Sequence, residues 1–261
     1  MEIIQQKESF KFNEAAGRLM FSYLSVFAKQ DGKLYYGKWR ERFGKPETLD
    51  DLQEIKEVAT EDVGPELKTT WSGVHVKTPH LFTLLKPNVD QKIAREVEAC
   101  EIIRKNPHPN IATYYGITEA NGKVSGICFK RYVDNLHLTF NPAHLSKEMF
   151  RERGRDLVQG EMKHRLDGLL AGILHLHSLG LVHNDINTSN VKLDEDGNFI
   201  LIDFDSCRRI GEDLEEESGA GRTFGWHDPD VKTALPKNDL DAFEELRIWL
   251  IRSSNKKYTF P

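Results

Sequence analysis

One stretch restricts this chain more than any other. Apolar Leu181-Val182 runs into the polar segment His183-Asn184-Asp185-Ile186-Asn187-Thr188-Ser189-Asn190. A short apolar run, Val191 to Leu193, follows, then the turn Asp194-Glu195-Asp196-Gly197, then Phe199 to Ile202 and Asp203-Phe204-Asp205. Two short strands around a tight turn make a hairpin. A hairpin of this length folds Asp203 back over the loop that carries Asp185, 18 residues earlier. Before the loop, Leu166, Leu169, Leu170, Ile173, Leu174 and Leu176 recur at helical spacing, which predicts a buried-face helix from Glu161 to near Gly180.

The rest of the chain divides into a strand-rich first half and a helix-rich second half. Phe12 to Ala28 reads as helical. Gln30-Asp31-Gly32-Lys33 before Leu34-Tyr35-Tyr36 reads as a turn entering a strand, and Gly44-Lys45-Pro46 as a break. Short strands are expected near Ile55 to Val58 and over Trp71 to Lys77, with a turn at Val63-Gly64-Pro65. Ile93, Val97, Cys100 and Ile103 predict a helix over 90–105, stopped by Pro107 and Pro109. Strands Ile111 to Ile117 and Val124 to Tyr132 meet at Asn121-Gly122, and a last helix covers Asp239 to Ile251. The fold class is α+β in two lobes: an extension over 1–48, a β-rich N-lobe over 49–132 and a mostly helical C-lobe over 133–261 that is shortened after the last helix.

Composition narrows the function classes. The chain has 261 residues, 39% hydrophobic and 10% aromatic, enough for a packed core. Its formal charge of −5 argues against a dedicated nucleic-acid binder. Leu19 to Ala28, the longest apolar stretch, is about half of a membrane span, and it reads as an element packed on the lobes. Cys100, Cys128 and Cys207 are odd in number and widely spaced, which suggests buried, reduced thiols in an intracellular protein, cytoplasmic or nuclear. His75, His80, His108 and His164 have no metal-ligand spacing. The acidic run Glu212 to Glu217 reads as a solvated loop.

The chemistry lies in the loop and the hairpin. Taken singly, each aspartate is an ordinary residue of a solvated hairpin. Together, the His-x-Asp-x-x-x-x-Asn loop, the apolar strand and the Asp-Phe pair point elsewhere. Phosphoryl transfer from ATP needs a carboxylate to orient and deprotonate a hydroxyl, and oxygen ligands to hold Mg²⁺ on the phosphates. Asp185 suits the first role, and Asn190 with Asp203 suits the second.

These motifs resemble the catalytic and magnesium loops of the eukaryotic protein kinases. Other segments match in order: Val74-His75-Val76-Lys77 resembles the strand with the phosphate-binding lysine, and Glu96, 19 residues on, resembles its helix partner. Glu98 is a rival, but Ala99, Cys100 and Ile103 keep Glu96 on the inward edge. His108-Pro109-Asn110-Ile111 and Leu174-His175-Leu176-His177 also match, as does Gly221 to Asp230, which ends in Asp-Pro-Asp where the family has Ala-Pro-Glu. The resemblance, over about residues 50–251, implies ATP and Mg²⁺ as cofactors and a protein substrate or binding partner. By resemblance, His183, Phe204, Thr223 and Asp239 support the site. A narrower likeness is to the divergent kinase-like proteins of filamentous fungi.

Departures keep three readings open. No glycine-rich loop precedes Lys77, only Gly64 beside Pro65. Asn184 replaces an arginine, Asn187 a lysine that steadies the transferred phosphate, and Asp205 a glycine. The first reading is a Ser/Thr protein kinase with Asp185 as base, Asn190 and Asp203 on Mg²⁺, and Lys77 with Glu96 on the phosphates. The second is a pseudokinase that binds partners. The third is a small-molecule kinase resembling choline and aminoglycoside phosphotransferases, which Ile202-Asp203-Phe204-Asp205 fits and the 223–230 segment does not.

Overall fold

A computed structural model describes residues 1–13, 18–58, 73–78, 89–120, 123–152, 161–214, 221–251 and 258–260. It divides into two compact units. One comprises Met1–Glu66, Thr78–Pro87 and Glu119–Ser125; the other comprises Leu67–Lys77, Asn88–Thr118 and Gly126–Pro261.

The first unit is built on an antiparallel sheet. Strands β1 (Glu2–Asn13), β2 (Arg18–Gln30), β3 (Lys33–Trp39) and β4 (Gln53–Val58) lie in that order, with a 3-10 helix at Leu49–Asp51 before β4. Asp31 and Gly32, at φ 51° and 78°, make the turn between β2 and β3, as their residue types require. The segment expected to be helical is therefore a strand over 18–28. The physical reason lies in its two faces. Leu24, Val26 and Ala28 pack with Leu52 on one side, and Phe27 meets Tyr36 at 5.4 Å between ring centres on the other. A strand buried on both faces shows no alternation, so its apolar run cannot be told from a helix by period. Each such Leu or Val contributes about 1.5–3 kcal/mol by leaving water. Gly37 admits Leu52 to the sheet: a Cβ there would stand 2.8 Å from the Leu52 Cβ. Strands on both sides of the 48/49 boundary belong to this one sheet.

The second unit carries most of the rest. A three-stranded sheet has the order β5 (Val74–Lys77), β7 (Lys123–Lys130), β6 (Tyr114–Ala120). Helix α1 (Val89–Lys105) lies between β5 and β6 in sequence and buries Glu96, Ala99, Cys100 and Ile103. Two short helices, α2 (Leu136–Phe140) and α3 (Lys147–Glu152), lead to α4 (Glu161–Ser178). Leu166, Leu169, Ile173 and Leu176 of α4 are buried, whereas Leu174 is 50% exposed and leaves the expected stripe. Then come β8 (Leu181–Val182), the hairpin β9 (Val191–Leu193) with β10 (Phe199–Leu201), β11 (Arg208–Arg209), which pairs with β8, and α5 (Pro236–Ile251).

Gly168 and Gly172 of α4 make room for Asn110, whose Nδ2 donates to the Phe199 carbonyl at 2.9 Å. A Cβ at Gly168 would come within 2.8 Å of that amide. The turns expected at Val63-Gly64-Pro65 and Asn121-Gly122 lie outside the described residues, as do His80 and residues 215–217 of the acidic run. No helix among the described residues is long and apolar enough to cross a membrane. All three cysteines are buried and free, and burial pushes each thiol up.

Candidate active site

Lys77 ends β5, Glu96 faces inward from α1, and Asp203 follows β10. Lys77 Nζ lies 2.7 Å from Glu96 Oε1 and 2.6 Å from Asp203 Oδ1, joining residues 126 apart in sequence. Burial works against the Lys77 charge, but Glu96, Asp203 and Asp205 outweigh it and hold the ammonium well above the usual lysine range. Glu96 is 5% exposed, and burial pushes its carboxyl up to about 7 against the pull of Lys77. Asp203 and Asp205 add repulsion in the same direction. Glu98, the rival, is exposed and pairs with Arg209.

The loop between β8 and β9 is held by its backbone. Asp239, fully buried in the first turn of α5, accepts the N–H of His183 at 2.8 Å and of Asn184 at 2.7 Å. His177 Nε2 also lies 2.8 Å from Asp239 Oδ2. His183 donates from Nε2 to the Ile202 carbonyl at 2.9 Å, and its Nδ1 accepts the Asp185 N–H at 3.3 Å. This imidazole therefore ties the loop to the hairpin that carries Asp203. Phe204, 1% exposed, packs edge-on to His183 and 6.4 Å from Phe129.

Asn184 stands in the left-handed region at φ 64°. Asparagine tolerates that conformation better than most residues. Its Nδ2 donates to the carbonyls of Val182 at 3.0 Å and Ser206 at 3.3 Å. Asp203 shares the strained backbone at φ 66°, at the point where its carboxylate turns toward Lys77.

Asp185 has donors on both oxygens. Thr223 N–H donates to Oδ1 at 2.7 Å, and Asn190 Nδ2 donates to Oδ2 at 2.7 Å. Burial raises its carboxyl, opposed first by the Thr223 N–H. Asn187, 2% exposed, is a brace that the sequence reading missed. Its Nδ2 donates to the Asp185 carbonyl at 3.1 Å and Thr223 Oγ1 at 3.0 Å. Its Oδ1 accepts from the backbone of Ser189 at 2.8 Å and Asn190 at 3.2 Å. The signal available for it was an Asn inside a tight polar loop, where side-chain amides cap backbone N–H groups.

A cleft of about 170 Å³ opens beside Lys77 and Asp203, smaller than the usual small-molecule site. Phe129, Tyr132, Ala112 and Ile202 give it apolar wall, while His75, Lys130 and Lys192 give it polar wall. Burial holds His75 below the usual imidazole range, with Lys192, Arg131 and Lys77 acting in the same direction.

Comparison with known proteins points to one family. The family described as protein kinase domain matches residues 80–236. Among curated proteins, the chain is similar to the serine/threonine-protein kinase pakH of Dictyostelium discoideum, at 24% identity over 64% of this chain and 29% of that protein. It is similar to the serine/threonine-protein kinase MST20 of Pyricularia oryzae, at 24% over 78% of this chain and 22% of that protein. The serine/threonine-protein kinase/endoribonuclease IRE1 of Oryza sativa subsp. japonica is 29% identical over 52% of this chain and 16% of that protein. The chain thus spans less than a third of the length of these relatives.

Proposed function

The chain belongs to the protein kinase family, and from that footing we propose that it transfers the terminal phosphoryl group of ATP to serine or threonine of a protein substrate. The observation that carries the reading is Lys77 held between Glu96 and Asp203 at 2.7 and 2.6 Å. A half-buried cation fixed beside a carboxylate is the arrangement a polyphosphate needs: one positive centre and one metal-binding oxygen.

The donor set fits Mg²⁺. Among the described residues, Asn190 Oδ1 and Asp203 Oδ2 accept no hydrogen bond, because Asn190 donates through Nδ2 and Asp203 meets Lys77 through Oδ1. Mg²⁺ keeps several waters and takes only one or two protein oxygens beside phosphate, so two suffice. Mg²⁺ so held would neutralise charge on the phosphates. Lys77 binds phosphate oxygens, and Glu96 sets the direction of its ammonium. Asp185 orients the attacking hydroxyl and takes its proton on the carboxylate, which retains lone pairs beside the Thr223 and Asn190 donors. Phe204 and His183 keep Asp203 in register with Asp185.

A second reading, a kinase-fold binding module, has one observation in its favour. Where the resembled family has a lysine, this chain has the buried amide of Asn187, so that ammonium is missing from the transition state. One experiment separates the two. Phosphoryl transfer from MgATP to a Ser/Thr peptide library is measured for wild type and Asp185→Asn. Transfer by wild type that falls at least a hundredfold in the variant supports the kinase. No transfer by either, with nucleotide binding intact, supports the binding module.

A further inference from the structure

Lys147, at the start of α3, is a buried ammonium that the proposed reaction does not use. Its side chain is 13% exposed, and its partner Glu245 on α5 is fully buried. Lys147 Nζ donates to Glu245 Oε1, to the Gly225 carbonyl at 2.5 Å and to the Phe260 carbonyl at 3.0 Å. An ammonium has three protons, so all are committed. It also stands 4.9 Å from the Trp226 ring centre and 4.5 Å from that of Tyr258. Glu245 in turn accepts the backbone N–H of Thr259 at 2.8 Å and of Phe260 at 3.4 Å.

One of the segments that meet at Lys147 leads to Asp185. Residues 223–226 form a turn closed by the Trp226 N–H on the Thr223 carbonyl at 3.2 Å, with Gly225 at φ 78°. At one end of this turn Gly225 takes the Lys147 bond. At the other end the Thr223 N–H donates to Asp185 Oδ1 at 2.7 Å. Asp230, further along the segment, is exposed, and among the described residues no cation pairs with it. Lys147 therefore fixes the Gly225 end of the turn, while Asn187 Nδ2 holds Thr223 Oγ1 at the other end at 3.0 Å.

We propose that Lys147 is a positioning residue for Asp185, acting through the 223–226 turn, and that Glu245 and residues 258–260 hold Lys147 in place. The proposal rests on the reading of Asp185 as the base. A misplacement of about 1 Å in a reacting group costs on the order of a hundredfold in rate. A turn pinned at one end and bonded to Asp185 at the other guards against that.

The test replaces the ion pair whole. In Lys147→Met/Glu245→Leu, apolar side chains fill the volume of the buried pair and leave no lone buried charge, while the carbonyls of Gly225 and Phe260 and the N–H groups of Thr259 and Phe260 lose their partners, at some cost in stability. Gly225 loses its donor. Amide exchange at Thr223 is expected to rise at least tenfold by NMR. The turnover number falls at least tenfold, with the nucleotide KM within twofold of wild type. Lys147→Arg, which keeps the cation and guards against a failure of the double variant to fold, gives intermediate values of both. Unchanged Thr223 exchange with an unchanged turnover number in either folded variant overturns the proposal. If wild type transfers no phosphate, the kinase reading falls, and Thr223 exchange still decides the role of Lys147.

Discussion

Asp239 Oδ1 accepts the backbone N–H of Asn184 at 2.7 Å, and through this bond α5 holds the loop that bears Asp185. With the His183 N–H and His177 on Oδ2, the buried carboxylate satisfies three donors. It sits in the first turn of α5, where the helix dipole favours negative charge. Asp239→Leu leaves two buried N–H groups without an acceptor, at about 1–3 kcal/mol each. A loss of roughly 2–5 kcal/mol is expected in urea unfolding. Asp239→Asn keeps one acceptor and should lose less. A change under about 0.5 kcal/mol, typical of surface substitutions, would show that the carboxylate does not hold the loop.

Glu96 should make the stability of this protein depend on pH in an unusual direction. Its folded carboxyl is pushed up to about 7 from an ordinary 4.5. As pH rises through that window, the unfolded chain ionises Glu96 while the folded chain keeps the proton. Its contribution therefore falls with rising pH between about 4.5 and 7 and is constant above, a change on the order of 3 kcal/mol. His75, held low by burial, acts in the opposite sense, but equally in wild type and in Glu96→Gln. The Tm difference, Glu96→Gln minus wild type, is expected to grow more positive from pH 5 to pH 8. A flat difference would refute the buried, proton-holding Glu96.

Asp203 has one oxygen on Lys77 and the other free for a cation. Asp203→Asn removes the charged ligand while Lys77 keeps Glu96 as partner. Wild type at a hundred times its dissociation constant for MgATP should gain about 2.7 kcal/mol. Scanning fluorimetry with and without Mg²⁺ is expected to show this gain in wild type and little of it in Asp203→Asn. Equal gains in both proteins would remove Asp203 from the metal site.

How far the chain could be read in advance depended on whether its signals were local. Leu166, Leu169 and Ile173 repeat at a helical period, and α4 is where they place it. The spacing from Asp185 to Asn190 and Asp203 is set by one loop and one hairpin, so a reader of the sequence can find all three. Phe12 to Ala28 misled, because a strand buried on two faces has no alternation. The two-residue strands β8 and β11 and the short helices α2 and α3 carry too few residues for any period. Lys147 and Glu245 are 98 residues apart, and nothing in a lone Lys and a lone Glu announces that they meet. In the sequence, Asn187 shows only as a missing charge. Its bonds to Asp185 and Thr223 exist only once the 221–226 segment has come back to the loop.

That last point bears on whether activity could be raised by restoring the family's lysine. Asn187 uses both ends of its amide: two donors, to the Asp185 carbonyl and Thr223 Oγ1, and one oxygen that caps Ser189 and Asn190. At 2% exposure no water replaces these partners. Asn187→Lys supplies an ammonium but no acceptor, so the Ser189 N–H loses its partner, at about 1–3 kcal/mol, while the Asn190 N–H keeps the residue 187 backbone carbonyl at 3.2 Å. Asn190 is the residue that would hold Mg²⁺, and the same brace fixes Thr223 against Asp185. Asn187→Lys is therefore expected to lower stability by roughly 1–3 kcal/mol and to lower turnover rather than raise it. Asn187→Ala, which lacks both charge and amide, should lose a similar amount of stability. The pair of variants, assayed for urea unfolding and for peptide phosphorylation, separates the brace from the charge. If Asn187→Lys transfers phosphate faster at unchanged stability, the missing ammonium limits this site and the amide brace does not.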